Sequence, residues 1–222
     1  MNLPRLSKTQ VATLITLLFH GIGLVGIFTQ TDWIIKATPL NLLLSAALLL
    51  WTEQERSKAF WIFFILCYTI GMTTEIIGVN TGLLFGNYFY GALLGPQLLK
   101  VPLVIGVNWF IVQYCSGHTL LKLQNKFVPG LQGRKKMWSL VVDSALLAVT
   151  FDWLIEPVAV RLCYWTWVGG TIPSLNYISW LMISFFLMLF FGKTTQDKPN
   201  QFAVHLLMTQ VLFFLILRTF LL

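Results

Sequence analysis

Seven apolar runs, approximately 10–29, 33–51, 59–78, 101–121, 138–156, 176–192 and 202–221, dominate this 222-residue chain. About 20 apolar residues suffice for a helix to cross the hydrocarbon core of a bilayer. Within lipid, a helix satisfies its own backbone donors and acceptors. The runs therefore predict an all-α integral membrane protein with about seven transmembrane helices, built as a single polytopic domain over residues 1–222. Charge is too sparse for any other class: 10% of residues are charged, against about 25% in soluble proteins, while 57% are hydrophobic and mean hydropathy is +0.76. A cytosolic globule, a disordered chain, a coiled coil and a secreted disulfide scaffold are excluded. The second run is the weakest, with Lys36 and Pro39 in its first turns, where proline is tolerated. Arg5 and Lys8 precede the first run as in a signal peptide, but no small-x-small cleavage site follows, so a retained helix is expected.

The net charge of +7 is distributed as orientation signals rather than as a nucleic-acid footprint. With the N-terminus inside, Arg5, Lys8, Arg56, Lys58, Lys122, Lys126, Arg134, Lys135, Lys136, Lys193 and Lys198 share the inner side. Only Lys36, Lys100, Arg161 and Arg218 remain for the outer side. Eleven against four predicts a cytoplasmic N-terminus, an outer C-terminus and a place in the cytoplasmic (inner) membrane. Cys67, Cys115 and Cys163 are scattered and lie in or beside apolar sequence, so buried thiols are expected rather than a metal or disulfide site.

The two long outer loops, 79–100 and 157–175, carry little charge and many glycines and aromatics. They include Phe85, Tyr88, Phe89 and Tyr90 in the first, and Tyr164, Trp165 and Trp167 in the second. Loops this apolar are expected to close over a greasy cavity, since irregular backbone at membrane depth must be covered by protein.

Asp32, Glu53, Glu55 and Asp197 fall in loops and are expected to be solvated, whereas Glu75, Asp143, Asp152 and Glu156 fall within or at the ends of spans. A carboxylate at mid-bilayer costs about 2.5–3.5 kcal/mol on the insertion scale, so each needs a partner or a function. Asp143 lies near the inner end of its helix and reads as an interface residue. Glu75, Asp152 and Glu156 all fall near the outer ends of parallel helices, the latter two at i, i+4 on one face. Gly71 and Gly78 flank Glu75 on its face and let a neighbour approach closely. Arg161 is the only nearby cation in sequence. Carboxyls crowded in a low dielectric with few countercharges favour the neutral, proton-donating form. The alternative is that these acids bond Arg161, Asn108 or tyrosines and merely hold helices together. His20 reads as a packing residue, and Asn108, Gln113 and Asn176 as polar links between helices.

The run Glu75-x-x-Gly78-x-x-x-Gly82-x-x-Phe85-Gly86-x-Tyr88-x-Tyr90 resembles the signature of the membrane carotenoid-biosynthesis hydratases, of the γ-carotene 1′,2′-hydratase and bisanhydrobacterioruberin hydratase type. Pro102 and Trp109, then Asp152, Pro157 and Trp165-x-Trp167, then Pro173-x-x-Asn176 and Trp180 extend the likeness over roughly residues 60–192. The resemblance implies cofactor-independent hydration of the terminal 1,2 double bond of an acyclic carotenoid end. Lycopene-type or γ-carotene-type carotenoid, water and membrane lipid would be the partners, with other enzymes of the pathway as candidates and no nucleic acid. A carboxylic acid would protonate carbon 2, and water would capture the tertiary cation left on carbon 1. Asp152 or Glu75 would be the acid, the other the water activator, and Glu156 a support. Phe85, Tyr88, Tyr90, Asn108, Trp109, Trp153, Trp165, Trp167 and Asn176 would line the substrate, the aromatics stabilising the cation. Two other readings stay open: a lycopene-type cyclase using the same protonation, and a non-enzymatic carotenoid or lipid carrier. A retinal receptor is excluded, because 202–221 contains no lysine for a Schiff base.

Overall fold

The computed structural model describes residues 6–195 and 197–222; Arg5, counted above among the inner charges, lies outside them. The described residues form eight α-helices, one turn of 3-10 helix (Ala92–Leu94) and two short β-ribbons. Helix α1, Lys8–Phe28, opens on a capping box in which Ser7 and Gln10 satisfy each other's backbone amides. The second apolar run does not form one continuous helix. It breaks at Ala37 into α2 (Asp32–Lys36) and α3 (Thr38–Thr52), because Pro39 has no N–H to continue the ladder and instead occupies the first turn of a new helix. Helix α4, Lys58–Thr81, ends at Gly82 in the left-handed conformation that glycine adopts without strain. Then follow α5 (Val104–Phe127), α6 (Gly133–Arg161), α7 (Ser174–Thr194) and α8 (Gln201–Phe220).

Five of these, α1, α4, α6, α7 and α8, are long and apolar enough to cross a membrane, and the chain is an all-α multi-pass membrane protein. Helix α5 is less apolar because lipid is not its surroundings: it packs against α3, α4, α6, α7 and α8 at once. Its polar residues are buried in protein, as Gln113 shows by donating across to Ser184 of α7 at 2.7 Å. The hydrophobic core runs along this central helix, with Trp109, Phe110, Ile111 and Cys115 fully enclosed. His20 is a packing residue, its ring bonded to the Thr16 carbonyl and edge-on to Phe213.

The aromatic loops are not irregular. Strand β1, Tyr88–Tyr90, pairs antiparallel with β4, Trp165–Trp167, in the register Tyr88 to Trp167 and Tyr90 to Trp165. A second small hairpin, β2 (Gln97–Leu98) with β3 (Val101–Pro102), leads into α5. Two expectations fail at the ends of helices. Cys67 and Cys115 are buried, but Cys163 is exposed, because it occupies a tight turn between α6 and β4 at φ 58°. Glu53 is not a freely solvated loop residue, since α5 and the α7–α8 connection close over it.

Candidate active site

Two helices bring the acids together beneath the β1–β4 ribbon. Glu75 projects from the last turns of α4, and Asp152 and Glu156 from one face of α6; all three are buried. Strand alternation does the rest. Successive strand residues face opposite sides, so Tyr88, Tyr90, Trp165 and Trp167 share the face toward the carboxyls while Phe89 points away and is exposed.

Each carboxyl is met by neutral donors. Glu75 Oε2 accepts the hydroxyls of Tyr88 and, at 2.8 Å, Tyr90, and its Oε1 accepts the Trp109 indole N–H at 3.1 Å. Glu156 Oε2 accepts the indole N–H groups of Trp165 and Trp167, both at 2.9 Å. Asn176, from the first turn of α7, donates to Asp152 Oδ2 at 2.9 Å and to Glu156 Oε1 at 3.3 Å. Among the described residues no cation forms an ion pair with any of the three, and Arg161 is exposed to solvent. Burial and the neighbouring Glu75 push the Tyr88 and Tyr90 phenols above their usual value, so both remain protonated donors.

Close approach depends on small residues. A Cβ on Gly71 would stand 2.4 Å from the Trp109 ring, and one on Gly78 would stand 2.5 Å from Phe85. The small face beside Glu75 therefore receives an indole and a loop phenylalanine. Trp109 in turn stacks on Trp180 of α7, with centroids 3.8 Å apart and planes 7° apart. The Ser179 hydroxyl donates to the Leu84 carbonyl and ties the first aromatic loop to α7.

These groups enclose a cavity of about 40 Å³. Glu75, Asp152, Glu156, Phe85, Tyr88, Tyr90, Asn108, Trp109, Trp165, Trp167 and Asn176, all singled out in the sequence, line it. Trp153 does not. It is half-exposed on the outer face of α6, where the Arg218 guanidinium lies 3.8 Å from its ring centroid. Next to Asp152 along the helix, it points about 100° away from that carboxyl; Pro157 supplies no N–H for the Trp153 carbonyl four residues earlier, and Arg218 donates to that carbonyl at 2.9 Å. Sequence reasoning left out Trp180 as a wall of the cavity, along with Ile105, Val112, Phe151 and Ile155. The spacing of Trp180, four residues beyond Asn176 on α7, was the available signal.

Buried carboxyls without counter-cations, in a small cavity walled by indoles and phenols, can exchange a proton with an apolar molecule and stabilise a cation beside it. Over 129 residues the chain is 30% identical to the bisanhydrobacterioruberin hydratase of Haloarcula japonica, a match covering 56% of this chain and 41% of that protein. The matched segment thus spans less than half the length of this curated relative. No solved structure matches the chain. Residues 37–222, which include every residue of the cavity, match the family described as carotenoid biosynthesis protein, and the chain belongs to that family.

Proposed function

We propose that the chain hydrates an acyclic carotenoid end group, adding water across its terminal 1,2 double bond. One observation carries this reading: three buried carboxyls share one cavity with neutral donors only, under an aromatic roof. The hydratase name of the Haloarcula relative supports the same reaction class.

Asp152 accepts a single hydrogen bond, whereas Glu75 and Glu156 accept three each. Asp152 is therefore the group with an oxygen free to carry the proton. It protonates carbon 2 of the double bond, and the electron pair of that bond forms the new C–H bond. The tertiary cation left on carbon 1 faces the indoles and phenols, each worth about 0.5–2 kcal/mol to it. Water held at Glu75 attacks carbon 1 and gives up a proton to the carboxylate, forming the tertiary alcohol. One proton passing from Glu75 back to Asp152 resets the site, so the steps need only water and these residues. Glu156 holds Trp165 and Trp167 in place beside the cation. A cavity of about 40 Å³ has room for a few waters at most, so the end group enters as the β1–β4 ribbon lifts.

The proposed setting is a single domain in the cytoplasmic membrane with seven spans and the N-terminus inside. Helix α3 alone, 15 residues, reaches about 22 Å, and α2 supplies the rest of its crossing. Helix α5 crosses inside a protein sheath.

Pigment extraction from hosts that make lycopene or γ-carotene and express this chain tests the reading. A more polar product heavier by one water is expected. An isomer of unchanged mass carrying a new ring would replace hydration by cyclisation, and unaltered pigment in both hosts would remove the enzymatic reading.

A further inference from the structure

A second and larger cavity, about 240 Å³, opens at the opposite end of the bundle, where α3 ends, α4 begins and α7 turns into α8. It belongs to a different set of side chains from the acid site. Along α5, Trp109 and His118 are nine residues apart, which separates the two cavities by about 14 Å of helix. Its apolar wall is Phe60, Phe63 and Phe191.

Its polar wall is a connected cluster. Glu53 Oε2 accepts the Tyr114 hydroxyl and, at 3.1 Å, the Asn200 amide, while Oε1 accepts the Glu55 backbone N–H at 2.8 Å. A carboxylate offers about four acceptor positions, and three are taken here. The Asn200 backbone N–H donates to His118 Nδ1 at 3.0 Å, so that nitrogen carries no proton and the ring N–H is at Nε2. His118 is 7% exposed, and its Nε2 has no partner among the described residues. The Asn200 side chain has nothing left to offer, because its amide group also donates to the Tyr114 hydroxyl at 3.3 Å and its carbonyl oxygen caps α8 by accepting from Phe202 and Ala203. On the buried side of the cavity, beside the aromatic wall, one acceptor position and one donor thus remain, while exposed polar side chains that include Gln54, Ser57, Lys198 and Gln201 line its solvent side. The buried pair is the complement of a hydroxyl group, which donates once and accepts, carried on an apolar chain.

We infer that this cavity binds the hydroxylated end of an isoprenoid chain. The inference rests on the proposed function only for the kind of chain; the hydroxyl comes from the cavity itself. A carotenoid already hydrated at one end carries the tertiary alcohol that fits here. A cavity of 150 Å³ takes benzene, so 240 Å³ takes about ten non-hydrogen atoms, the size of a monoterpene alcohol.

The test uses the purified full chain in detergent, with linalool as the tertiary alcohol probe and myrcene as its hydrocarbon counterpart. Dissociation constants are measured by titration, and detergent partitioning cancels between wild type and variants. His118→Phe keeps a ring but removes the donor, and should weaken linalool at least tenfold while leaving myrcene unchanged. Ala59→Phe fills the cavity without touching a cluster hydrogen bond and should weaken both probes, so it serves even where His118→Phe fails to fold. Val25→Ala, at an exposed position outside both cavities, should leave linalool affinity as it is. Equal linalool affinity in wild type and Ala59→Phe overturns the inference. A chain that binds linalool as expected yet hydrates no carotenoid refutes the proposed function and leaves the alcohol site standing. A working hydratase whose linalool affinity ignores His118→Phe and Ala59→Phe refutes the alcohol site alone.

Discussion

Replacing Asp152 by Asn and Glu156 by Gln separates proton transfer from support, because the two carboxyls differ in what they hold. Asp152 accepts one hydrogen bond, from Asn176 Nδ2 at 2.9 Å. An Asn side chain keeps an oxygen for that bond, so the substitution removes only the transferable proton. Interhelical hydrogen bonds in membranes average about 0.6 kcal/mol, and the expected change in stability is no larger than that. Loss of a general acid costs about 10²–10⁴ in rate. Glu156 is the reverse. One oxygen accepts both indoles and the other accepts Asn176, so a Gln side chain has one acceptor for three donors. Its NH₂ group then faces another amide NH₂, or an indole N–H is left without a partner. A buried donor stranded in this way costs about 1–3 kcal/mol. The two variants should therefore invert: Asp152→Asn folded and nearly inactive, Glu156→Gln clearly less stable but the more active per folded molecule. The assay is pigment turnover in a carotenoid-producing host, normalised to folded protein, alongside thermal unfolding in detergent. Asp152→Asn turning over within fivefold of wild type, or losing activity only in proportion to its loss of folded protein, refutes the assignment of Asp152 as the acid.

Gly71→Ala should destabilise by about 1–3 kcal/mol and lower turnover, because its methyl would stand 2.4 Å from a Trp109 ring already stacked on Trp180; thermal unfolding and pigment assays read both effects. At Glu53, burial pushes the carboxyl up, but hydrogen bonds from Tyr114, the Glu55 amide and Asn200, with His118 nearby, outweigh it and hold it below its usual value. A lowered folded-state pKa contributes stability above the unfolded carboxylate range, about 4.3, and that stability is lost as pH falls through the lower folded value. Unfolding temperature should thus drop more steeply in wild type than in Glu53→Gln as pH is taken below about 4.3. A reporter fused after Leu222 should lie outside the cytoplasm and one inserted between α5 and α6 inside it; both on one side would refute the seven-span proposal.

Local periodicity carried much of this protein into view. The i, i+4 spacing of Asp152 and Glu156 places two carboxyls on one face of any helix that contains them, and parallel helix directions bring Glu75 to the same depth. Gly71 and Gly78 marked where something must come close, although not that an indole and a phenylalanine would be what arrives. The period-two spacing of Tyr88 with Tyr90 and of Trp165 with Trp167 was present in the sequence as well. What it lacked was the partner: β1 and β4 are separated by two helices, and their register exists only once α4, α5 and α6 have packed.

Tertiary structure decided where local spacing is silent. Trp153 is next to Asp152 in sequence, but adjacent helical residues point about 100° apart, and the carbonyl freed by Pro157 recruits Arg218 to the outer side. Glu53 reads as a surface loop residue from its charged neighbours, yet a tyrosine from α5 and the cap of α8, more than 60 and 140 residues away in sequence, turn it into part of a cavity. Hydrophobic runs, helix faces and strand alternation are properties of neighbours along the chain, so the sequence alone determined the membrane class, the helical character of its apolar runs and the shared face of the acids on α6, though not the break of the second run at Ala37. Which side chain satisfies a buried carboxyl is a property of neighbours in space, and it is settled only when the helices have packed and each buried donor must find its acceptor.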